Sequence, residues 1–183
     1  MTEVFANMTK EEAERSMKEN DHPMRKVAAG MVGSRPVVDL GCGKGIDVSK
    51  LYMEEQYMGI DCSHELIEIA IRNNLGYEFE VSDLVNWVDL HPEDSINVGV
   101  MISVLEHMES LEVAQHAYRQ ARHVCKELLV GWHCPPHYPT TEIIQVQAEL
   151  NSSIHQNHYA EGTFHGAVRV TPVQGGELWS VRS

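Results

Sequence analysis

The sequence predicts an α/β protein built on a doubly wound, mostly parallel sheet with a reversed edge. Two observations predict it. Short apolar runs alternate with amphipathic segments through five rounds, as in a sheet with helices on both faces. The chain then ends in two β-rich runs around Gln174, Gly175 and Gly176, FHGAVRVTPVQGGELWSVRS, which reads as a hairpin.

The elements follow in order. Thr9 opens a helix through EEAERSMKEN, with Glu11 and Glu12 favourable in its first turn. Asp21-His22-Pro23 interrupts it, and MRKVAAGMV resumes as a second helix. PVVDL after Gly33 is a short buried strand, and GIDVSKLYMEE has helical spacing. QYMGID is the second strand, SHELIEIAIRNN a helix opened by Ser63, and YEFEVSD the third strand. SINVGVMISVL is the most continuous apolar run, as expected at the centre of a sheet covered on both faces. ESLEVAQHAYRQARHVCK is an amphipathic helix, ELLVGWH the fifth strand, and TEIIQVQAELNSSI a further helix before the hairpin.

Composition narrows the function. With 27 acids against 14 bases the formal charge is −13, and no long basic run occurs. A grip on phosphate backbones needs a cationic face, so nucleic acid is disfavoured as a partner and a small neutral or cationic molecule fits better. The same charge also serves solubility alone. Cys42, Cys62, Cys125 and Cys134 form no CxxC pair, which suits a reducing compartment. The N-terminal stretch lacks an apolar signal core and no run is long enough to span a bilayer, so the expected location is the cytoplasm, with no membrane contact.

Ligands of such sheets bind beyond the carboxyl ends of the strands. There the first strand enters Asp39-Leu40-Gly41-Cys42-Gly43-Lys44-Gly45, with a helix following. Glycines in that position allow positive φ and remove the Cβ atoms that would hold a ligand away. Twenty positions after Gly41, QYMGID ends in Asp61, whose carboxylate can accept both hydroxyls of a ribose. Asp83 in VSDL closes the next strand and can accept from an adenine amino group. Each acid taken singly also fits a helix cap or turn residue. The spacing is GxGxG, with Ile46 where a dinucleotide fingerprint would place its third glycine. An acid just ahead of the loop suits a ligand with an amino group, whereas pyrophosphate would be repelled.

VVDLGCGKG, YMGID, VSDL and INVGVMISVLEHM, in that order, resemble the class I S-adenosylmethionine-dependent methyltransferases, in particular the small methyltransferase-domain group with an LEH signature. The resemblance covers roughly residues 36 to 133. It implies a Rossmann-like sheet of seven strands, the hairpin supplying the sixth and seventh. The expected cofactor is S-adenosylmethionine, leaving as S-adenosylhomocysteine. By resemblance, Gly41 and Gly43 approach the methionine part, with Asp39 near its amino group and Ser103 beneath it. Asp61 binds the ribose hydroxyls, Cys42 belongs to the cofactor loop, and Cys62 packs near the adenine. Asp83 and the Leu84 backbone read the adenine edge. The family commonly has an acid where this chain has Asn97. The implied organisation is a single domain over 1–183: a helical segment 1–34, a cofactor core 35–133, and a substrate-side segment with the hairpin at 134–183.

The expected reaction is in-line methyl transfer to a small-molecule acceptor, in which the enzyme aligns the partners and excludes water. A general base is needed only when the acceptor must lose a proton, so no catalytic residue is assigned. His107, His133 and Tyr159 are substrate-side candidates, each equally readable as a cap, hinge or loop residue. The histidines of HCPPH with His155, His158 and His165 lack a standard ligand spacing, and no metal is expected. CPPHY echoes a loop of amino methyltransferases acting on DNA bases, but it follows the fifth strand and lacks the leading Asp or Asn. The alternatives are a non-catalytic S-adenosylmethionine-binding module, a methyltransferase acting on nucleic acid or protein, and, less well matched, a nicotinamide oxidoreductase.

Overall fold

A computed structural model describes residues 6–16, 23–108, 110–133, 168–173 and 176–182. Five parallel strands form its frame: β1 (Val37–Leu40), β2 (Tyr57–Asp61), β3 (Glu78–Val81), β4 (Ile96–Ile102) and β5 (Cys125–His133). They lie in the order β3-β2-β1-β4-β5, paired parallel throughout, which is the Rossmann-like arrangement. Beyond β5 the sheet continues antiparallel into β7 (Gly176–Arg182) and then β6 (Val168–Val173). The chain runs outward one way from β1 through β2 to β3 and returns on the other side through β4. The crevice between β1 and β4 is therefore the switch point where this architecture receives ligands.

Helices cover both faces. On one side, α2 (Pro23–Val32) and the single turn α3 (Val48–Leu51) pack on Val37, Val98, Val100 and Ile102. On the other, α5 (Leu84–Asp89) and α6 (Leu111–Val124) cover Leu40, Ile60, Met101 and Leu128. From Val98 to Ile102 alternate β4 residues thus enter opposite cores, which explains the apolar run there, while Asn97 is exposed. Gly99 contributes a side chain to neither core. A Cβ there would lie 2.5 Å from the Cys125 sulfur, so β4 and β5 pack this closely only around a glycine. α1 (Lys10–Arg15) and α4 (His64–Asn73) form a smaller cluster through Ala13, Leu66 and Ile69. No helix among the described residues is long and apolar enough to cross a membrane.

Several sequence expectations need correction. The first helix stops at Arg15. Thr9 caps it as expected, in a capping box with Glu12, but Ser16 turns extended. The helix expected over GIDVSKLYMEE is only four residues long. Asp47 sits at φ 62° before it, and Tyr52 turns extended after it and buries its ring against Tyr57, 5.1 Å between centroids. Conversely, LVNWVD forms the unexpected helix α5, which Asp83 caps. The expected helix over 141–154 and residues 174 and 175 of the expected turn lie outside the described residues.

One polar network fixes α2 on the sheet. Arg35 donates to the carbonyls of Met31 and Val32, at the end of that helix, and pairs with buried Glu127 of β5 at 2.6 Å. The other Glu127 oxygen accepts from Ser180 of β7, also at 2.6 Å. A buried carboxylate needs such partners on both oxygens to offset lost hydration.

Candidate active site

The glycine loop is built largely from its own backbone. Gly41 N–H and Cys42 N–H both donate to the Ile60 carbonyl at 2.9 Å, tying the loop to the end of β2. Gly41, Gly43 and Gly45 have φ of 87°, 56° and 62°, a region that costs other residues about 1–2 kcal/mol. The space that a Cβ would take is filled by protein at two of them. At Gly41 it would lie 2.5 Å from Val104 Cγ2, and at Gly45 within about 3 Å of Asn74 and Phe79. At these two positions the missing Cβ atoms make room for protein rather than for a ligand: Val104 just after β4, Asn74 at the end of α4, and Phe79 of β3. Cys42 is buried beneath the loop against Gly59, and burial followed by the charge of Asp39 pushes its thiol pKa well up. It is therefore an inert packing residue, not a thiolate.

The three acids occupy different situations. Asp61, last in β2, is buried and receives Gly43 N–H at 3.0 Å on one oxygen and Ser63 N–H at 2.9 Å on the other. Burial raises its pKa, and the two N–H donors work against the rise. Asp39 is the third of four residues in β1, inside the strand rather than at its end, and only 1% exposed. Asp83 lies past β3, where its Oδ1 accepts Asn86 N–H at 3.1 Å as the cap of α5. The cap reading thus holds for Asp83. Leu84 is fully buried in the core. Cys62 is half-buried beside Asp61 and Asp83, and burial with the Asp61 charge pushes its pKa up to about 11.

Asp39 is held by two residues that the sequence reading did not single out. Arg25 Nη1 lies 2.6 Å from Oδ2, and the Tyr57 hydroxyl donates to the same oxygen at 2.9 Å. Burial opposes the Arg25 charge, but the neighbouring carboxylate outweighs it and raises the guanidinium pKa. Oδ1 of Asp39 has no partner among the described residues, and neither does the buried Oγ of Ser103. Ser103 directly follows β4 with φ 57°, its N–H donating to the Gly131 carbonyl at 2.8 Å. A buried acceptor left open costs about 1–3 kcal/mol, and non-glycine strain adds about 1–3 more. Two such costs on adjacent strands, next to a loop packed on Val104, mark a place kept open for polar groups. Arg25 was findable: it shares the i, i+3, i+4, i+7 stripe with Ala28, Ala29 and Val32, all buried. A cation on a buried stripe requires a buried carboxylate partner.

His107 ends the 3₁₀ turn Leu105–His107 that follows β4. It stays exposed at its rim, but desolvation by the surrounding chain lowers its pKa below the usual imidazole value. His133 is the last residue of β5, paired in register with Gly176. Tyr159, Cys134 and the histidines of 137–165 lie outside the described residues. The structure thus brings together Asp39, Gly41, Cys42, Gly43, Asp61 and Ser103, with Cys62 and Asp83 alongside Asp61.

Comparison with known proteins agrees with this geometry. Residues 37–127 match the family model described as a methyltransferase domain. No curated protein matches the chain in sequence. Among solved structures, monomeric WbdD superposes with a TM-score of 0.63 at 15% identity, over 91% of this chain and 42% of its own. The chain thus spans less than half of WbdD, described elsewhere as a bifunctional kinase-methyltransferase. Magnesium protoporphyrin IX methyltransferase from Synechocystis PCC 6803, with bound SAM, superposes at 0.58 with 18% identity, over 86% of this chain and 74% of that one. A SAM-dependent methyltransferase from Archaeoglobus fulgidus gives 0.56 with 12% identity, over 87% and 94%. At these identities the superpositions speak for the fold, and the sequence model adds a family likeness over residues 37–127. Over residues 37–127 the chain is similar to the methyltransferase-domain family, on a fold shared with SAM-dependent methyltransferases.

Proposed function

We propose that this chain transfers a methyl group from S-adenosylmethionine to a small-molecule acceptor, as a single domain over 1–183. The observation that carries the reading is the pair of buried acceptors without a partner among the described residues, Asp39 Oδ1 and Ser103 Oγ, at the β1/β4 switch point beside the glycine loop. The residues present fit this cofactor. Asp39 Oδ1 and Ser103 Oγ are acceptors for the α-ammonium of its methionine part. Asp61 has carboxylate lone pairs for ribose hydroxyls beyond the two backbone N–H groups it already receives. Asp83, Cys62 and the Leu84 backbone form the adenine side. When bound, the cofactor supplies a methyl group already activated on a sulfonium.

What the chain contributes is alignment and a dry setting for an in-line displacement. The rigid loop, fastened to Ile60 and packed on Val104, fixes the methionine end, and the acids fix the adenosine end. His107 follows β4 on the same side of the sheet, and its lowered pKa favours a neutral imidazole able to accept a proton at neutral pH. It is the acceptor-side residue of this reading, with His133 and Tyr159 as further substrate-side candidates. The excess of acids over bases, 27 to 14, supports a neutral or cationic small acceptor over a polyanion.

Calorimetry with S-adenosylmethionine and S-adenosylhomocysteine tests the proposal directly. Binding of both is expected, and absence of binding at high micromolar concentration would overturn it. A panel of amine, hydroxyl and thiol acceptors with a labelled methyl donor then separates an enzyme, which turns over, from a binding module, which does not.

A further inference from the structure

We infer that Arg25 and Tyr57 are positioning residues that give the site its selectivity for ligands bearing an α-ammonium group, by holding Oδ2 of Asp39 and leaving Oδ1 as the accepting oxygen. The inference rests on the adenosyl-ligand reading above and goes beyond it by assigning the residues that make Asp39 selective.

The geometry is asymmetric. Both donors converge on one carboxylate oxygen, Arg25 at 2.6 Å and Tyr57 at 2.9 Å, while the other has none among the described residues. Neither donor is free to swing to Oδ1. The Arg25 side chain is only 9% exposed, and α2 is held by the Arg35–Glu127 anchor at its far end. The Tyr57 ring is wedged between Tyr52, Tyr77 and Phe79, with centroids 5.1 to 6.0 Å apart. Arg25 also supplies the countercharge that lets a carboxylate sit almost fully buried without a ligand. The carboxylate is thereby fixed in rotation, with its open oxygen presented in one direction. A fixed, desolvated acceptor distinguishes a ligand that brings an ammonium from one that does not, because the second leaves it unpaired.

The test compares S-adenosylhomocysteine with 5′-methylthioadenosine, which keeps the adenosine thioether and lacks the amino-acid end. Calorimetry on the full chain is expected to show the wild type preferring S-adenosylhomocysteine. Tyr57→Phe preserves the aromatic packing and Arg25→Lys preserves the charge. Each is expected to weaken S-adenosylhomocysteine by about tenfold, the scale of one charge-assisted hydrogen bond, and to leave methylthioadenosine within about twofold. Arg25→Met is expected to lose more than Arg25→Lys. A thermal melt on each variant separates unfolding from altered selectivity.

Equal weakening of both ligands, or no change in either, overturns the inference and leaves Arg25 and Tyr57 as scaffold. A wild type that binds both ligands alike overturns it too, while the adenosyl-ligand reading stands. A wild type that binds neither overturns both.

Discussion

Gly41→Ala separates two reasons for the glycine at that position. If the residue is glycine to let a ligand approach, the folded protein should tolerate a methyl group and lose only binding. The structure predicts the opposite order of effects. The backbone at φ 87° costs an alanine about 1–2 kcal/mol. The added Cβ would lie 2.5 Å from Val104 Cγ2, a stiff β-branched side chain that is itself buried, and relieving such overpacking costs about 1–3 kcal/mol. Together the loss is about 2–5 kcal/mol, a fall in melting temperature of about 5–15 °C for a chain of this size. Urea unfolding should show it as a lower midpoint at unchanged slope. The double variant Gly41→Ala/Val104→Ala is the sharper measurement. Val104→Ala alone costs about 1.5–3 kcal/mol through lost burial and a cavity. In the Gly41→Ala background it removes the clash, so the two losses should fall short of additivity by about 1–3 kcal/mol, leaving mainly the backbone strain. Additivity within about 0.5 kcal/mol, or a Gly41→Ala protein as stable as the wild type, would refute the packing argument.

Three further outcomes are expected. Asp61→Ala should weaken S-adenosylhomocysteine by about 1–3 kcal/mol in calorimetry. It should also lower the unfolding midpoint, because Gly43 N–H and Ser63 N–H lose their acceptor; a stability unchanged from wild type would contradict the second part. Glu127→Ala should cost about 1–3 kcal/mol in urea unfolding by stranding the Ser180 hydroxyl and releasing Arg35, whose 41% exposure limits its share of the loss. For His107 the folded pKa lies below the unfolded value near 6.5, so the unfolded chain binds the extra proton on acidification. Its contribution is complete above about pH 6.5 and is lost as pH falls through the folded pKa. His107→Gln should flatten that part of the stability–pH profile, and a difference between variant and wild type that is constant from pH 7.5 to 5 would count against the desolvated imidazole.

The parallel frame was legible because its strands are buried on both faces, so β1, β2, β4 and β5 read as apolar runs without any need for register. Ser63, the cap of α4, is local chemistry and was equally legible. The helix expected after the glycine loop failed for a tertiary reason. Helical spacing over GIDVSKLYMEE describes one face of a cylinder, but burying Tyr52 against Tyr57 and turning left-handed at Asp47 won over continuing it. LVNWVD escaped notice because a six-residue helix carries little periodicity of its own, and its stability comes from packing Leu84, Trp87 and Val88 into the core.

By itself the sequence determined the fold class, the family resemblance, and the placing of Asp39, Asp61 and Ser103 in or just after β1, β2 and β4. Those follow from local pattern and from the order of elements along the chain. Only the tertiary structure decided what each residue does there. It gave the Cβ space of Gly41 to Val104, made Asp83 a helix cap, and placed Arg25 and Tyr57 on one oxygen of Asp39, leaving the other open. Such assignments depend on which atoms from distant segments compete for the same few ångströms, and no local pattern encodes the outcome of that competition.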